Sequence, residues 1–256
     1  MALASVVACV LGMINYFSSV VPPAASTYPG RFQAGVAIDS ANTLWIAGGQ
    51  DTSGNHYNDV WQSTDLGASW VCQSCKNSAP TANNTFAPRY DAALVTQGTT
   101  KLYLIGGFDG TTFFNEVSAS TDAGVTWQTI AASNTAGFQG APGPARAWFT
   151  SDASTLILLY GTHLWTVSAD WSTYVDQGAL SFGGQAVVRS QYGAQFIPSS
   201  NWLVIAGGHV EGSASTNQVW GSLLTGANPS AFSLLNASAP WSRAACLAWH
   251  WTHRAT

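Results

Sequence analysis

Short apolar runs recur along the chain, and each stops at glycine. Leu44-Trp-Ile-Ala ends in Gly48-Gly49, Leu102-Tyr-Leu-Ile in Gly106-Gly107, and Leu203-Val-Ile-Ala in Gly207-Gly208. A decayed copy, Leu156-Ile-Leu-Leu-Tyr, ends in Gly161. Runs this short, bounded by Gly, Asn and Asp, predict strands rather than helices. The glycine pair lets the chain turn sharply where backbones crowd. From Gly49 to Gly107 is 58 residues, from Gly107 to Gly161 is 54, and from Gly161 to Gly208 is 47. Self-similarity at about 50 residues is the mark of a repeat architecture.

Two further elements keep the same rhythm. About ten residues after each glycine pair come Asn58-Asp-Val-Trp61, Asn115-Glu-Val-Ser118 and Asn217-Gln-Val-Trp220. An arginine opens each unit: Arg31, Arg89, Arg146, Arg189 and Arg243, five of the six arginines in the chain. Each unit is expected to supply an inner strand after the Arg and an apolar strand ending at Gly-Gly. A third strand begins near Asn-x-Val, and a fourth at the Trp that closes the motif. Such a unit cannot bury both faces alone, so units must stack around an axis. The periodicity of the arginines points to a structural task, such as bonding carbonyls or carboxylates between units.

The turn after the third strand carries its own signature. Ser63-Thr-Asp65-Leu-Gly67-Ala-Ser-Trp70 and Ser120-Thr-Asp122-Ala-Gly124-Val-Thr-Trp127 both read S-x-D-x-G-x-x-W. The Asp carboxylate can accept bonds from backbone N–H groups of the turn. The Gly can take the left-handed conformation, and the Trp packs a large apolar face between strands.

The apolar strand, Gly-Gly, Asn-x-Val strand and closing Trp resemble the kelch repeat family over roughly residues 28 to 250. The S-x-D-x-G-x-x-W turns resemble the Asp-box (BNR repeat) of sialidase-like propellers. The resemblance implies an all-β β-propeller of kelch-like four-stranded blades, about four of them readable, plus a partial terminal blade. The expected blades are 31–88, 89–145, 146–188 and 189–242, with the partial blade at 243–256. Residues 1–27 form an apolar N-terminal segment. Tyr16-Phe-Ser-Ser-Val-Val21 is similar to Ala231-Phe-Ser-Leu-Leu-Asn236, an outer strand, so the readable chain starts with a last strand and ends with a first strand. Open blade edges of that kind invite strand pairing with another molecule. In families with Asp-boxes the turn lies away from the active centre, which implies that Asp65 and Asp122 form turns.

Composition narrows the functional classes. Charged residues are 8% of the chain, against about 25% in a typical soluble domain, while 12 residues are Trp and 25 are Gly. A polar surface with few charges suits a secreted or wall-associated protein. The net charge is -4 and the eight Lys and Arg are scattered, whereas nucleic-acid binding needs clustered cations. Cys72 and Cys75 can be read as a redox motif, half a zinc site or a local disulfide. No second pair at similar spacing completes a zinc site. Cys9 and Cys246 both fall in the closing region, where they could pair. Residues 1–21 carry no charge. They read as a signal-peptide core without its basic flank, a membrane anchor, or a strand of the fold. Asn83-Asn-Thr and Asn236-Ala-Ser are glycosylation sequons. An extracellular or cell-surface location is expected, with an intracellular kelch adaptor as the alternative.

No catalytic constellation stands out. A sialidase needs an arginine cluster with Tyr, Glu and Asp, but the arginines here are periodic and the only glutamates are Glu116 and Glu211. Galactose-oxidase-like kelch enzymes need a copper site of Tyr and His. Cys246, His250 and His253 lie close together, yet a strand would point the two histidines to opposite faces. Glycine pairs that end strands do not cradle phosphates. No cofactor or metal is expected. The loops after the glycine pairs are the expected ligand-facing positions. They carry Gln50, Asp51 and His56, then Phe108, Asp109, Phe113 and Phe114, then His209 and Glu211. Aromatics beside short polar groups suit a sugar or a peptide. The expected function is a non-enzymatic propeller that binds protein or glycan or builds an assembly. A carbohydrate-active enzyme is the alternative.

Overall fold

The computed structural model describes residues 30–75, 86–131, 145–186, 188–190, 192–210, 215–225 and 229–239. Residues 1–27, Asn83, Glu211, Arg243, Cys246, His250, His253 and the proposed terminal blade therefore lie outside the described residues. Every element among the described residues is a strand.

Contacts gather the described residues into two compact bodies: 30–161 with 165–175, and 162–164 with 176–239. In the first body, β1 (Gly35–Ile38), β2 (Leu44–Ala47), β3 (Val60–Ser63) and β4 (Val71–Ser74) form an antiparallel sheet in sequence order. The second sheet repeats it with β5 (Ala93–Gln97), β6 (Lys101–Ile105), β7 (Val117–Ser120) and β8 (Gln128–Ala131). The third sheet comprises β9 (Ala145–Phe149), β10 (Thr155–Tyr160), β11 (His163–Ser168) and β12 (Tyr174–Ala179), of which residues 145–160, 165–168 and 174–175 belong to this body. The innermost strands β1, β5 and β9 lie side by side. This is the blade arrangement that the repeat predicts.

Each second strand is a continuous apolar run because it is buried on both faces. Along β6, Leu102 and Leu104 turn toward the first blade, where they pack with Trp45, Ala47, Val60 and Trp127. The alternate residues Tyr103 and Ile105 turn the other way, onto Ala145, Leu156, Leu158 and Tyr160. Period-two alternation thus serves two interfaces at once. Removing one such side chain, as in Leu104→Ala, costs about 2–5 kcal/mol.

The second body holds β13 (Ser181–Phe182), β14 (Gln185–Ala186), β15 (Arg189–Ser190), β16 (Gly193–Ile197), β17 (Trp202–Ala206), β18 (His209–Val210), β19 (Val219–Leu223) and β20 (Ala231–Asn236). Strands β16, β17, β19 and β20 reproduce the blade. Strand β13 pairs in parallel with β20 and carries β14 on its other side. Residues 181–186, which the sequence repeat assigns to the end of the third unit, extend this fourth sheet.

Candidate functional site

The repeated arginines sit behind the glycine pairs. Arg31 donates to the Gly48 carbonyl at 2.9 Å and grips both carboxylate oxygens of Asp59. Arg89 donates to the Gly106 carbonyl at 2.9 Å and to Glu116 at 2.5 Å. Arg189 donates to the Gly207 carbonyl at 2.7 Å and to Gln218 at 3.4 Å. Arg31 and Arg89 also stack on Tyr57 and Phe114, at 4.1 and 3.9 Å. The residue before Val in each Asn-x-Val motif is therefore the arginine's partner. The arginine ties its own second strand to its own third.

Arg146 stands elsewhere. Strand register aligns Gly35, Ala93, Ala145 and Gly193, which pair with Ala47, Ile105, Tyr160 and Ala206. Arg31, Arg89 and Arg189 lie four residues before these positions, whereas Arg146 lies one residue after. It occupies the innermost strand, at the position of Val36, Leu94 and Ala194. The sequence repeat groups Arg146 with the other arginines because spacing along the chain hides this register difference. The third blade also lacks the loop of the others: β10 and β11 are joined by Gly161 and Thr162 alone. The φ of Gly161, +58°, matches the first glycine of each pair, at +64, +65 and +66°.

The residue after each glycine pair bridges to the residue after the arginine. Gln50 pairs with Phe32, Phe108 with Tyr90, and His209 with Ser190. In the first body this brings four rings into a strip. His56 lies 5.0 Å from Tyr90, Tyr90 lies 5.5 Å from Phe108, and Phe108 stacks on Phe113 at 4.2 Å and 23°. Phe113 is 41% exposed.

A polar row runs beside the strip. Gln50 donates through Nε2 to Gln33 Oε1. Gln33 donates through Nε2 to Asp91 Oδ2 at 2.8 Å. Arg146 stands 4.0 Å from Asp91 Oδ1. Gln33 and Asp91 are equivalent residues of the first two blades, and both hold φ +56°. That left-handed backbone costs a side-chain-bearing residue roughly 1–3 kcal/mol. It turns the Asp91 N–H to the Gln33 carbonyl at 2.9 Å, and the Asp91 carbonyl to the Ala145 N–H at 3.1 Å. Three blades are thus laced through two strained residues whose side chains form the row. Burial pushes the Asp91 carboxyl above the usual carboxylate range, and Arg146 opposes the shift. Partly exposed and backed by a cation, this row can exchange hydrogen bonds with a polar ligand.

The loop carboxylates have another task. Asp51 accepts from the Ser53 and Asn55 N–H groups, the Asn55 amide and the Tyr57 hydroxyl, all at 2.8–2.9 Å. Asp109 accepts from the Thr111 and Thr112 N–H groups and the Thr111 hydroxyl at 2.7–2.8 Å. Both shape their own loops. Phe114 lies under Arg89, and its carbonyl accepts from the Tyr160 hydroxyl at 2.8 Å. His209 is exposed on β18 in the second body. His56, Phe108 and Phe113 are the ligand-facing candidates that the fold brings together. Tyr90, Gln33 and Asp91 carry no repeat signal of their own; only their place after Arg89 and Arg31 could have drawn attention to them.

The S-x-D-x-G-x-x-W turns are closed by their own side chains. Ser63 Oγ donates to Asp65 Oδ1 and accepts from the Gly67 N–H, both at 2.8 Å, and Asp65 caps the Ser69 N–H at 2.8 Å. Ser120, Asp122, Gly124 and Thr126 repeat the pattern at 2.8–2.9 Å. Trp70 and Trp127 are buried. A third such turn, Ser168-Ala-Asp170-Trp171-Ser172, lacks the glycine and the closing Trp. Cys72 and Cys75 form a disulfide at the end of β4 with Cα atoms 5.7 Å apart. Asn236 is exposed at the end of β20.

No curated protein matches the chain. A family model, the DUF6242 beta propeller domain, matches residues 37–228. With its all-β blades, about four of which fall among the described residues, the chain belongs to the family of DUF6242 beta propeller domains.

Proposed function

We propose that this β-propeller is a non-catalytic extracellular binding module whose ligand is a saccharide, taken up on the ring strip and polar row of its glycine-pair loops. The observation that carries the reading is the stacked pair Phe108–Phe113, with Phe113 41% exposed, in a ring strip that continues through Tyr90, the residue next to Asp91 at the end of the amide row of Gln50 and Gln33. A flat apolar face beside amide donors and acceptors suits a sugar ring, which is apolar on its C–H face and polar at its edge. The blades are of the kelch type, supported by the recurring Arg–Gly carbonyl bonds. The serine–aspartate turns are Asp-boxes, supported by their side-chain hydrogen bonds. An extracellular setting is supported by the low charge, the Cys72–Cys75 disulfide and the exposed sequon at Asn236. The test is a glycan array probed with the wild-type chain and with Phe113→Ala, which removes an exposed ring. Binding of a saccharide that weakens about tenfold in the variant is the expected result. A wild-type chain that retains no glycan overturns the reading.

A further inference from the structure

We infer that Arg146 anchors a carboxylate of the ligand, so that the saccharide recognised is an acidic one of the uronic-acid type; this rests on the saccharide reading above. The other described arginines of the repeat are committed to the fold. Arg31 and Arg89 have side chains that are 0% exposed, and each is bonded to a glycine carbonyl and an acid. Arg189, also buried, is bonded to the Gly207 carbonyl and Gln218. The Arg146 side chain is 37% exposed. Among the described residues it donates to the carbonyl of its own neighbour Ala145 at 2.7 Å and approaches Asp91 only to 4.0 Å. No packing need explains a cation there, because the same innermost-strand position holds Val36, Leu94 and Ala194 in the other blades.

Two neighbours give the position its chemistry. Trp148 shares the strand face with Arg146 by alternation and is half-buried, which offers a second aromatic surface next to the cation. Asp91, held by Gln33, stands too far from the guanidinium for a hydrogen bond, and Nη1 is taken by the Ala145 carbonyl, so among the described residues the Nε–Nη2 edge is the one left to meet an outside acceptor. A guanidinium offers two parallel N–H donors that match a carboxylate in a way a lysine ammonium does not. A sugar carrying a carboxylate satisfies both features: its ring on aromatic surface, its acid on Arg146.

The experiment measures binding of the full chain to oligogalacturonate and to its methyl-esterified form, which is the same saccharide without charge. The expected result is that the wild-type chain prefers the acid form by tenfold or more, that Arg146→Gln erases this preference while still binding the ester, and that Arg146→Lys keeps part of it. Arg146→Gln should melt only slightly below wild type, because the partly exposed pair it loses with Asp91, at 4.0 Å, contributes little to stability. Arg89→Gln is the contrast and should melt well below it. Equal binding of acid and ester by the wild-type chain, or a preference that survives in Arg146→Gln, overturns the carboxylate assignment and leaves the saccharide reading intact. Binding of neither form, with no glycan retained on the array, overturns both. Preference for polyglutamate over either saccharide overturns the acidic-sugar assignment. A melting temperature of Arg146→Gln as low as that of Arg89→Gln makes the guanidinium structural and also overturns it.

Discussion

A Cβ atom at Gly48 would stand 2.5 Å from the carbonyl oxygen of Arg89. The two residues belong to neighbouring blades, and the approach is fixed on both sides. The Gly49 N–H donates to that same Arg89 carbonyl at 2.8 Å, and the Arg89 N–H donates to the Tyr57 carbonyl at 3.0 Å. The glycine pair therefore does more than turn its own chain. It makes room for the backbone of the next repeat, just upstream of that repeat's inner strand. The arginine side chain reaches the other way, into its own blade. One residue thus joins two levels of the architecture, blade to blade through its backbone and strand to strand through its side chain.

Gly48→Ala should accordingly cost more than a left-handed alanine alone. Gly48 holds φ +64°, a conformation that costs an alanine roughly 1–2 kcal/mol. The clash with the Arg89 carbonyl adds to that, because neither backbone can shift without breaking the Gly49–Arg89 bond. Gly54 is the control, with φ +81° and nothing within 4 Å of its Cβ position. Gly54→Ala should lose about 1 kcal/mol, and Gly48→Ala at least about 2 kcal/mol more through overpacking. Urea denaturation of the two variants checks this. Equal losses would show that the neighbouring blade yields freely.

The turn carboxylates give the fold a pH-dependent contribution on the acid side. Asp51, Asp65, Asp152 and Asp170 are each held at about 2, below the ordinary 3.8, chiefly by side-chain hydrogen bonds from Asn55, Ser69, Thr150 and Ser168 respectively. A folded value below the unfolded one means that the unfolded chain binds more protons in between. Their contribution to stability is therefore fully present above about pH 4 and is lost as pH falls through about 2. Asp65, Asp152 and Asp170 are exposed and Asp51 partly so, and salt weakens the effect. Asp65→Asn should melt below wild type at pH 6, with the gap closing toward pH 2 as the native carboxyl becomes neutral. Melting curves across that range check it, and a gap that does not change with pH refutes it.

What the sequence reveals is what is written locally. The glycine pairs, the Asn-x-Val motifs and two serine–aspartate turns each lie within a dozen residues, so their residue types announce them. The third turn escapes because Ser172 and Val175 stand where the other two turns carry the glycine and the closing tryptophan, although Trp171 holds the same left-handed φ as Leu66 and Ala123. The polar row escapes for another reason. Gln33 and Asp91 are 58 residues apart and meet only because two blades stack. Arg146 is visible as an arginine in rhythm, but its displacement onto the innermost strand depends on register, which spacing along a chain cannot fix. The parallel pairing of β13 with β20 likewise arises from stacking between distant segments and has no local motif.

Equivalent turn positions should also respond differently to the same substitution. Leu66 and Ala123 each follow the aspartate of a serine–aspartate turn, at φ +58 and +57°. Both carry the strain of a left-handed L-residue, which asparagine tolerates better because its short polar side chain bonds locally. Leu66 is 77% exposed, so it loses no packing on replacement and gives up an unfavourable exposed side chain. Ala123 packs against the cluster of Trp45, Leu102 and Trp127 between the first two blades. Asparagine there must desolvate its amide or push the turn outward. Leu66→Asn should therefore raise stability by about 0.5–1 kcal/mol, while Ala123→Asn should lower it by about 1 kcal/mol or more. Thermal denaturation of the two variants decides the matter. If both gain alike, the second turn is not seated in the interface; if neither gains, the left-handed conformation at these positions carries little strain.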